Sequence, residues 1–247
     1  MTALTNSLRS ETTKVLSMRS TLVYTILLTG SLFGPVTLYM WFSGAEDRTV
    51  DWALLSTGAA IFQVVAVVFA AATTAGDIRN HMHAQAFLTQ RARSLWVLSK
   101  VVVTAVFTAL TYLVGTGLAM VSAMVFGGQL DLGAETGQFA ANLVGCVVFA
   151  SLTVGLACVV RSQVGAVALP IVWLMVVEGM LALAAGRYEW LRPVVAVSPG
   201  QRQMQLAYGM DQLDLGISTA GCYLILVGWV VVMTGLGLWR NQRADVR

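Results

Sequence analysis

Six stretches of this chain are long and apolar enough to cross a lipid bilayer, and that feature limits the folds open to it more than any other. A helix needs about 20 apolar residues to span the hydrocarbon. The stretches are Leu22–Phe42, Ala53–Ala75, Val97–Phe126, Phe139–Val160, Val164–Ala185 and Gly216–Trp239. The third exceeds the need, which implies tilt or protrusion. Only 11% of the residues are charged, against 57% hydrophobic. A soluble domain carries about 25% charged residues, so water cannot be the solvent around most of this surface. The segment before the first stretch, Met1 to Ser20, is polar and mixed in charge and lacks the pattern of a cleavable leader. The expected fold class is an all-α membrane protein with six transmembrane helices, forming a single domain over 1–247.

The placement of charge orients the spans. Basic residues near span ends favour the cytoplasmic side. With the N-terminus inside, 11 of the 15 Lys and Arg are cytoplasmic; Arg48, Arg187, Arg192 and Arg202 are external. The acids divide the other way. Glu11, Asp77 and Asp245 are inside, Glu178 lies within a span, and the remaining eight are outside. Both termini are therefore expected in the cytoplasm.

Two cytoplasmic segments stand out. In Thr2–Ser20, apolar Leu4, Leu8, Val15, Leu16 and Met18 alternate with Arg9, Glu11, Lys14 and Arg19 at roughly helical spacing. This predicts an amphipathic helix, within 1–21, lying along the inner leaflet. The loop Gly76–Lys100 is too long for a turn and too polar for lipid. Ile78, Met82, Phe87 and Leu88 form a narrow apolar stripe on it, with Arg79, Gln85, Arg91 and Arg93 exposed. It reads as a docking face for a partner, or as a solvated basic loop that obeys the positive-inside rule.

On the other side, Gly186–Leu215 is more apolar than a solvated loop should be, with Trp190, Pro193, Val194, Val197, Met204 and Tyr208. The expectation is a set of short helices dipping back at the outer interface, broken at Ser198-Pro199-Gly200. An amphipathic loop resting on the headgroups is the other reading.

Ionisable and amide groups at membrane depth are costly and face protein or water. Glu178 lies in the outer half of span five, Gln63 near the middle of span two and Asn142 in the outer part of span four. Glu178 either lines an exit path, contacting a cationic or hydroxylated substrate, or makes a structural hydrogen bond to a neighbouring helix. Pro35 and Pro170 should kink spans one and five. Gly30 and Gly34 form a GxxxG that permits close helix contact.

No reaction chemistry is visible. The phosphate-loop pattern G-x-x-x-x-G-K-[ST] is absent, as is H-E-x-x-H. His81 and His83, two apart, would point to different sides of a helix and do not suggest a metal pair. Cys146, Cys158 and Cys222 sit in apolar segments without CxxC spacing, as packing residues do.

The chain resembles the permease subunits of ABC-2 type transporters, in particular the short six-span bacterial permeases that pair with a separate ATPase. The resemblance covers nearly the whole chain. It rests on the lead-in from Ser10-Glu11-Thr12-Thr13-Lys14 to Ser17-Met18-Arg19-Ser20, on the loop from Gly76-Asp77-Ile78-Arg79 through Arg91 and Arg93 to Lys100, and on the apolar outer segment around Trp190 to Leu206. It implies that 76–96 holds a cytoplasmic coupling helix. Asp77, Arg79, Asn80, Phe87, Arg91 and Arg93 would contact the ATPase, supported by Glu11, Lys14 and Arg19. Many relatives begin this loop with a glutamate, where this chain has Asp77. The resemblance also implies a re-entrant outer segment at 186–215 and a translocation path near Gln63, Trp173 and Glu178.

The function so implied is outward movement of an amphiphilic substrate (a drug, peptide antibiotic or lipid) by alternating access. The chain itself would be no enzyme and bind no cofactor; ATP and Mg would sit in a partner pair of ABC ATPase subunits. A second permease chain, identical or not, would complete the assembly in the bacterial cytoplasmic membrane, with no nucleic acid involved. Two other readings stay open: a secondary transporter driven by an ion gradient, and a non-transporting immunity or scaffold protein.

Overall fold

The structure, a computed structural model, describes residues 3–43, 49–80, 93–133 and 136–243. Helix α1 (Ala3–Ser17) precedes α2 (Arg19–Phe42), separated from it by Met18 alone, whose extended backbone (φ −80°, ψ 130°) breaks the helix. A two-residue strand β1 (Thr49–Val50) and a single helical turn α3 (Trp52–Leu55) lead into α4 (Ala59–Arg79). Next come α5 (Arg93–Val125), β2 (Gln129–Leu130) and α6 (Thr136–Val160). The fifth long helix has two parts, α7 (Gln163–Val172) and α8 (Glu178–Arg187), joined by a π-helical turn over Trp173–Val177. A 3-10 turn (Glu189–Leu191), α9 (Arg192–Ala196), α10 (Pro199–Tyr208) and α11 (Thr219–Arg243) complete the described chain.

Six helices are long and apolar enough to cross a membrane: Arg19–Phe42, Trp52–Arg79, Ser94–Val125, Thr136–Val160, Gln163–Arg187 and Thr219–Arg243. They match the six apolar stretches of the sequence. Their ends run beyond several of those stretches, because extending a formed helix costs less than nucleating one and polar residues can continue it. The architecture is that of a multi-pass membrane protein. Large apolar side chains such as Leu22, Ile26, Leu110, Val121, Leu183 and Leu224 point away from the bundle. A hydrocarbon solvent accommodates such a surface; water does not.

Burial ranks the helices. The apolar window of α6 is 67% buried and that of the α3–α4 helix 56%, against 22% for both α7–α8 and α11. Thus α4 and α6 form the centre. Their composition permits it, since Ala59, Ala66, Ala70, Ala71 and Ala75 on α4 and Ala150, Gly155 and Ala157 on α6 let neighbours approach closely. Leu28, Leu32 and Tyr112 pack around them, the Tyr112 ring meeting Phe62 of α4 edge to face at 5.0 Å.

Not every glycine serves this packing. A Cβ on Gly58 would meet Leu32 Cα at 3.0 Å and overlap the Ser31 carbonyl, whereas Gly30 and Gly34 face open space. Within this chain the close approach of α2 therefore uses the Ser31 backbone against Gly58, not the GxxxG pair. α2 runs unbroken through Pro35, and Pro170 is followed three residues later by the π turn.

The bundle has two unlike ends. One carries α1, the C-terminus of α4 and the N-terminus of α5. The other carries α9, α10 and the parallel pairing of β1 with β2, which ties residues 49–50 to 129–130. The segment between α4 and α5 is shorter than the sequence suggests, because α4 continues to Arg79 and α5 begins at Arg93. Ile78, expected on an exposed stripe, instead packs with Trp96, Val97 and Cys158.

Candidate functional site

At the α1 end, four charged side chains from three helices form one buried cluster. Glu11 and Lys14 come from α1, Asp77 from the last turns of α4, and Lys100 from the third turn of α5. Asp77 Oδ2 lies 2.6 Å from Lys14 Nζ and 2.8 Å from Lys100 Nζ. Glu11 accepts from Lys100 at 3.3 Å and lies 3.8 Å from Lys14. Glu11, Asp77 and Lys100 are buried. Two acids and two lysines balance, which buried charge requires, because an unpaired ion there would cost several kcal/mol, on the order of 3–5. Beside the cluster, the Ser99 hydroxyl donates to Ser7 Oγ at 2.7 Å.

The helical spacing of α1 explains the arrangement. Ser7, Glu11 and Val15 recur every four residues and face the bundle, while Arg9, Ser10, Thr12 and Thr13 are exposed. Of the residues implied to couple to an ATPase, the structure brings Glu11, Lys14 and Asp77 together. Arg79 and Asn80 are exposed at the end of α4, and Arg19 is exposed at the start of α2. Phe87 and Arg91 lie outside the described residues, and Arg93 is the first residue of α5. Lys100 completes the cluster, yet sequence reasoning treated it as the end of a loop. Its signal was a lysine set two turns inside an apolar helix.

At the other end, α10 packs back onto the bundle. Ser198 is its N-cap residue and Pro199 its first helical residue; the Ser198 hydroxyl donates to the Val194 carbonyl and does not cap the helix. A helix N-terminus carries unsatisfied N–H groups and a partial positive charge. Proline has no N–H to satisfy, so the first free amides are Gly200 and Gln201. Glu178 receives both: Gly200 N–H donates to Oε1 at 3.1 Å and Gln201 N–H to Oε2 at 2.9 Å. A carboxylate from another helix thus caps α10.

The π turn aims that carboxylate. In a regular α-helix, residues five apart point about 140° away from each other. Across Trp173–Val177 they share a face, and the Trp173 indole N–H donates to Glu178 Oε1 at 2.7 Å. Gly200 is required as well, since a Cβ there would overlap the Glu178 carboxylate and lie 3.0 Å from Leu174 Cδ2.

One turn further along α10, Gln203 pairs reciprocally with Gln63 of α4. Gln63 Nε2 donates to Gln203 Oε1 at 2.9 Å and Gln203 Nε2 donates to Gln63 Oε1 at 3.0 Å. Between α4, α6, the π turn and α10 lies a cavity of about 200 Å³. Gln63, Asn142, Glu178 and Gln203 give it polar walls, and Val67, Ile171 and Leu174 apolar ones. A second cavity of about 250 Å³, almost wholly apolar, lies beside it, lined by Phe149, Trp173, Pro199 and Trp229.

Of the implied path residues, Gln63 and Glu178 line the first cavity, and Trp173 lines the second while bonding to Glu178. Sequence reasoning missed Gln203 and the buried Arg202, which it counted as an external loop charge. The Arg202 guanidinium donates to Gln205 Oε1 and lies 3.9 Å from Asp211 Oδ1. The available signal was a run of polar residues, Gln201 to Gln203, directly after Pro199-Gly200 in an apolar segment.

The chain belongs to a family described as "Protein of unknown function (DUF2705)", whose model matches residues 16–247. The match begins at Leu16 and so leaves out most of α1, including Glu11 and Lys14. No curated protein matches the chain.

Proposed function

We propose that this chain is the permease subunit of an ATP-driven exporter of the ABC-2 type, moving an amphiphilic substrate outward across a bacterial cytoplasmic membrane. In this reading the α1 end is cytoplasmic and a pair of ATPase subunits binds there, supplying ATP and Mg. The 76–96 region, in which Arg79 is exposed, forms the coupling contact. α10 is the re-entrant element on the outer side, and a second permease chain completes the path.

The observation that carries the reading is the span of α4. Near one end this helix holds Asp77 within the charged cluster; 14 residues earlier it holds Gln63 in the cavity wall. At 1.5 Å per residue the two are about 21 Å apart, and nearly four full turns leave them on about the same face. A push on the α1 end is therefore delivered by one rigid helix to the amide pair that fastens α10. A rigid element with discrete contacts at both ends is one physical route by which two sites are coupled. The charge-balanced cluster makes α1, α4 and α5 move as one body at that end.

The test is a pull-down of the tagged chain expressed with its chromosomal neighbours, followed by an ATPase assay. The expected result is copurification of a Walker-motif ATPase that is released or uncoupled by Arg79→Glu with Arg91→Glu. Purification of the chain alone in every mild detergent overturns the reading and favours a gradient-driven or scaffolding role.

A further inference from the structure

We propose that the 200 Å³ cavity between α4, α6, the π turn and α10 is a binding site for the uncharged, oxygen-bearing head of an amphiphile, an amide carbonyl or hydroxyl that accepts a hydrogen bond from Asn142 Nδ2. It deepens the transport reading by naming the substrate class. Binding itself stands whether or not the chain transports.

The first ground is an unused donor. Asn142 is 1% exposed, lines the cavity, and its Nδ2 has no hydrogen-bond partner among the described residues. A buried amide left unpaired costs about 1–3 kcal/mol; Nδ2 is covered by its neighbours as it stands, and a rotation about the Cβ–Cγ bond that brings it to a ligand oxygen in the cavity removes that cost. Gln63 and Gln203 add to the polar wall. In their mutual pairing each amide spends one N–H and one oxygen lone pair, leaving a second of each.

The second ground is charge. The acid in the wall is already compensated, because Glu178 accepts three hydrogen bonds and faces the N-terminus of α10. It does not demand a cation. Among the described residues no lysine or arginine lines the cavity, so an anion finds no partner there. An ionic head would be desolvated without compensation, which is prohibitive in a low-dielectric site. A neutral head is not penalised in this way.

The third ground is shape. Met175, Met204 and Tyr208 line the cavity and are also exposed, Met175 by 63%. The mouth therefore opens sideways between the π turn and α10, among side chains suited to hydrocarbon. Methionine adapts to varied apolar chains, so a tail can lie outward while the head enters. A cavity of roughly 150 Å³ holds benzene. This one takes a head slightly larger than that.

The test uses the purified chain in lipid nanodiscs and a photoreactive probe, an N-alkyl acetamide with a diazirine in its alkyl chain. Labelled peptides are mapped by mass spectrometry. Expected is saturable labelling of residues 60–67, 171–175 and 199–208, with alkyl carboxylate and alkyl trimethylammonium competing at least about tenfold more weakly than the unlabelled amide. Asn142→Leu, which removes the donor and keeps the volume, should weaken labelling about tenfold, the scale of one lost hydrogen bond. Met204→Trp, which fills the mouth and leaves the polar walls intact, should block labelling independently. Uniform, unsaturable labelling of the bundle surface overturns the proposal. So does equal competition by all three heads, preference for the cation, or unchanged labelling of both variants. Loss of the ATPase partner in the pull-down leaves this readout untouched, so failure of the binding site and failure of the transport reading are distinguishable.

Discussion

Gly145 on α6 and Gln203 on α10 meet so closely that a single methyl group would not fit between them. A Cβ built on Gly145 would overlap the Gln203 amide and lie 2.8 Å from its Cγ. The glycine is thus the condition for the Gln63–Gln203 pair. Gly145→Ala should displace the Gln203 side chain and cost about 1–3 kcal/mol, the usual range for overpacking a filled interior. Gln203→Ala alone should also destabilise, by leaving Gln63 half-satisfied. The double variant should cost less than the sum, because the truncated residue 203 no longer clashes. Unfolding midpoints in a mixed-detergent titration read the coupling. Gly228→Ala is the control, since its Cβ would meet nothing within 4 Å.

Glu178 should matter first for the order of α10. Glu178→Gln keeps an oxygen acceptor but removes the charge that faces the helix N-terminus, and its NH2 group cannot accept the second amide. A hydrogen bond to a charged group contributes about 1.5–3 kcal/mol. The amides of Gly200 and Gln201 should therefore exchange with deuterium at least about tenfold faster in the variant. Amides in the middle of α6 should not change. Equal exchange at 200 and 201 in both proteins would mean that the carboxylate does not hold the helix.

The apolar content of the chain made the six spans legible, because length and composition alone decide whether a helix can cross hydrocarbon. The amphipathic α1 was legible for a similar reason, since its four-residue spacing is local. The partners of its charges were not. Glu11 and Lys14 looked like surface charge, and only the packing of α1 against α4 and α5 reveals that they close a ring with Asp77 and Lys100. The break at Ser198-Pro199-Gly200 was legible from proline and glycine. The capping acceptor lay 22 residues away on another helix, and a π turn set its direction. Neither long-range pairing nor a single inserted helical residue leaves a periodic trace. The same holds for Gln203, whose partner Gln63 is 140 residues distant.

The charged cluster predicts a specific pattern of rescue. Asp77→Asn leaves Lys14 and Lys100 sharing only Glu11, and should destabilise the chain by about 3–5 kcal/mol, the range for breaking a buried pair from one side. Lys14→Met with Asp77→Asn restores neutrality around the Glu11–Lys100 pair and should recover a large part of that loss. Lys100→Met with Asp77→Asn should recover less, because the ring then keeps its more exposed lysine and loses its buried one. Limited proteolysis of α1 in detergent micelles reads the same order. α1 should be cut fastest in Asp77→Asn alone and slowest in the wild-type chain.

The crossing of α6 and α11 separates glycines that packing requires from those it does not. A Cβ on Gly155 would lie 2.5 Å from the Met233 carbonyl carbon and 2.8 Å from Thr234 N, both backbone atoms. On the opposite helix, a Cβ on Gly237 would lie 2.9 Å from the Gly155 carbonyl oxygen. No rotamer change relieves contacts of this kind, so the helices themselves would have to part. Separation would strip dispersion contacts along the crossing, and close packing is what holds helices together where lipid is as apolar as the side chains. Gly155→Ala should therefore cost more than Gly145→Ala, where a side chain can swing away. Gly30→Ala on α2 should be neutral for the stability of a single chain, since open space surrounds that position. If Gly30→Ala instead destabilised the protein in proportion to its concentration, a second copy would be packing on α2, and the GxxxG face would be its seat. Unfolding titrations at two protein concentrations distinguish these outcomes.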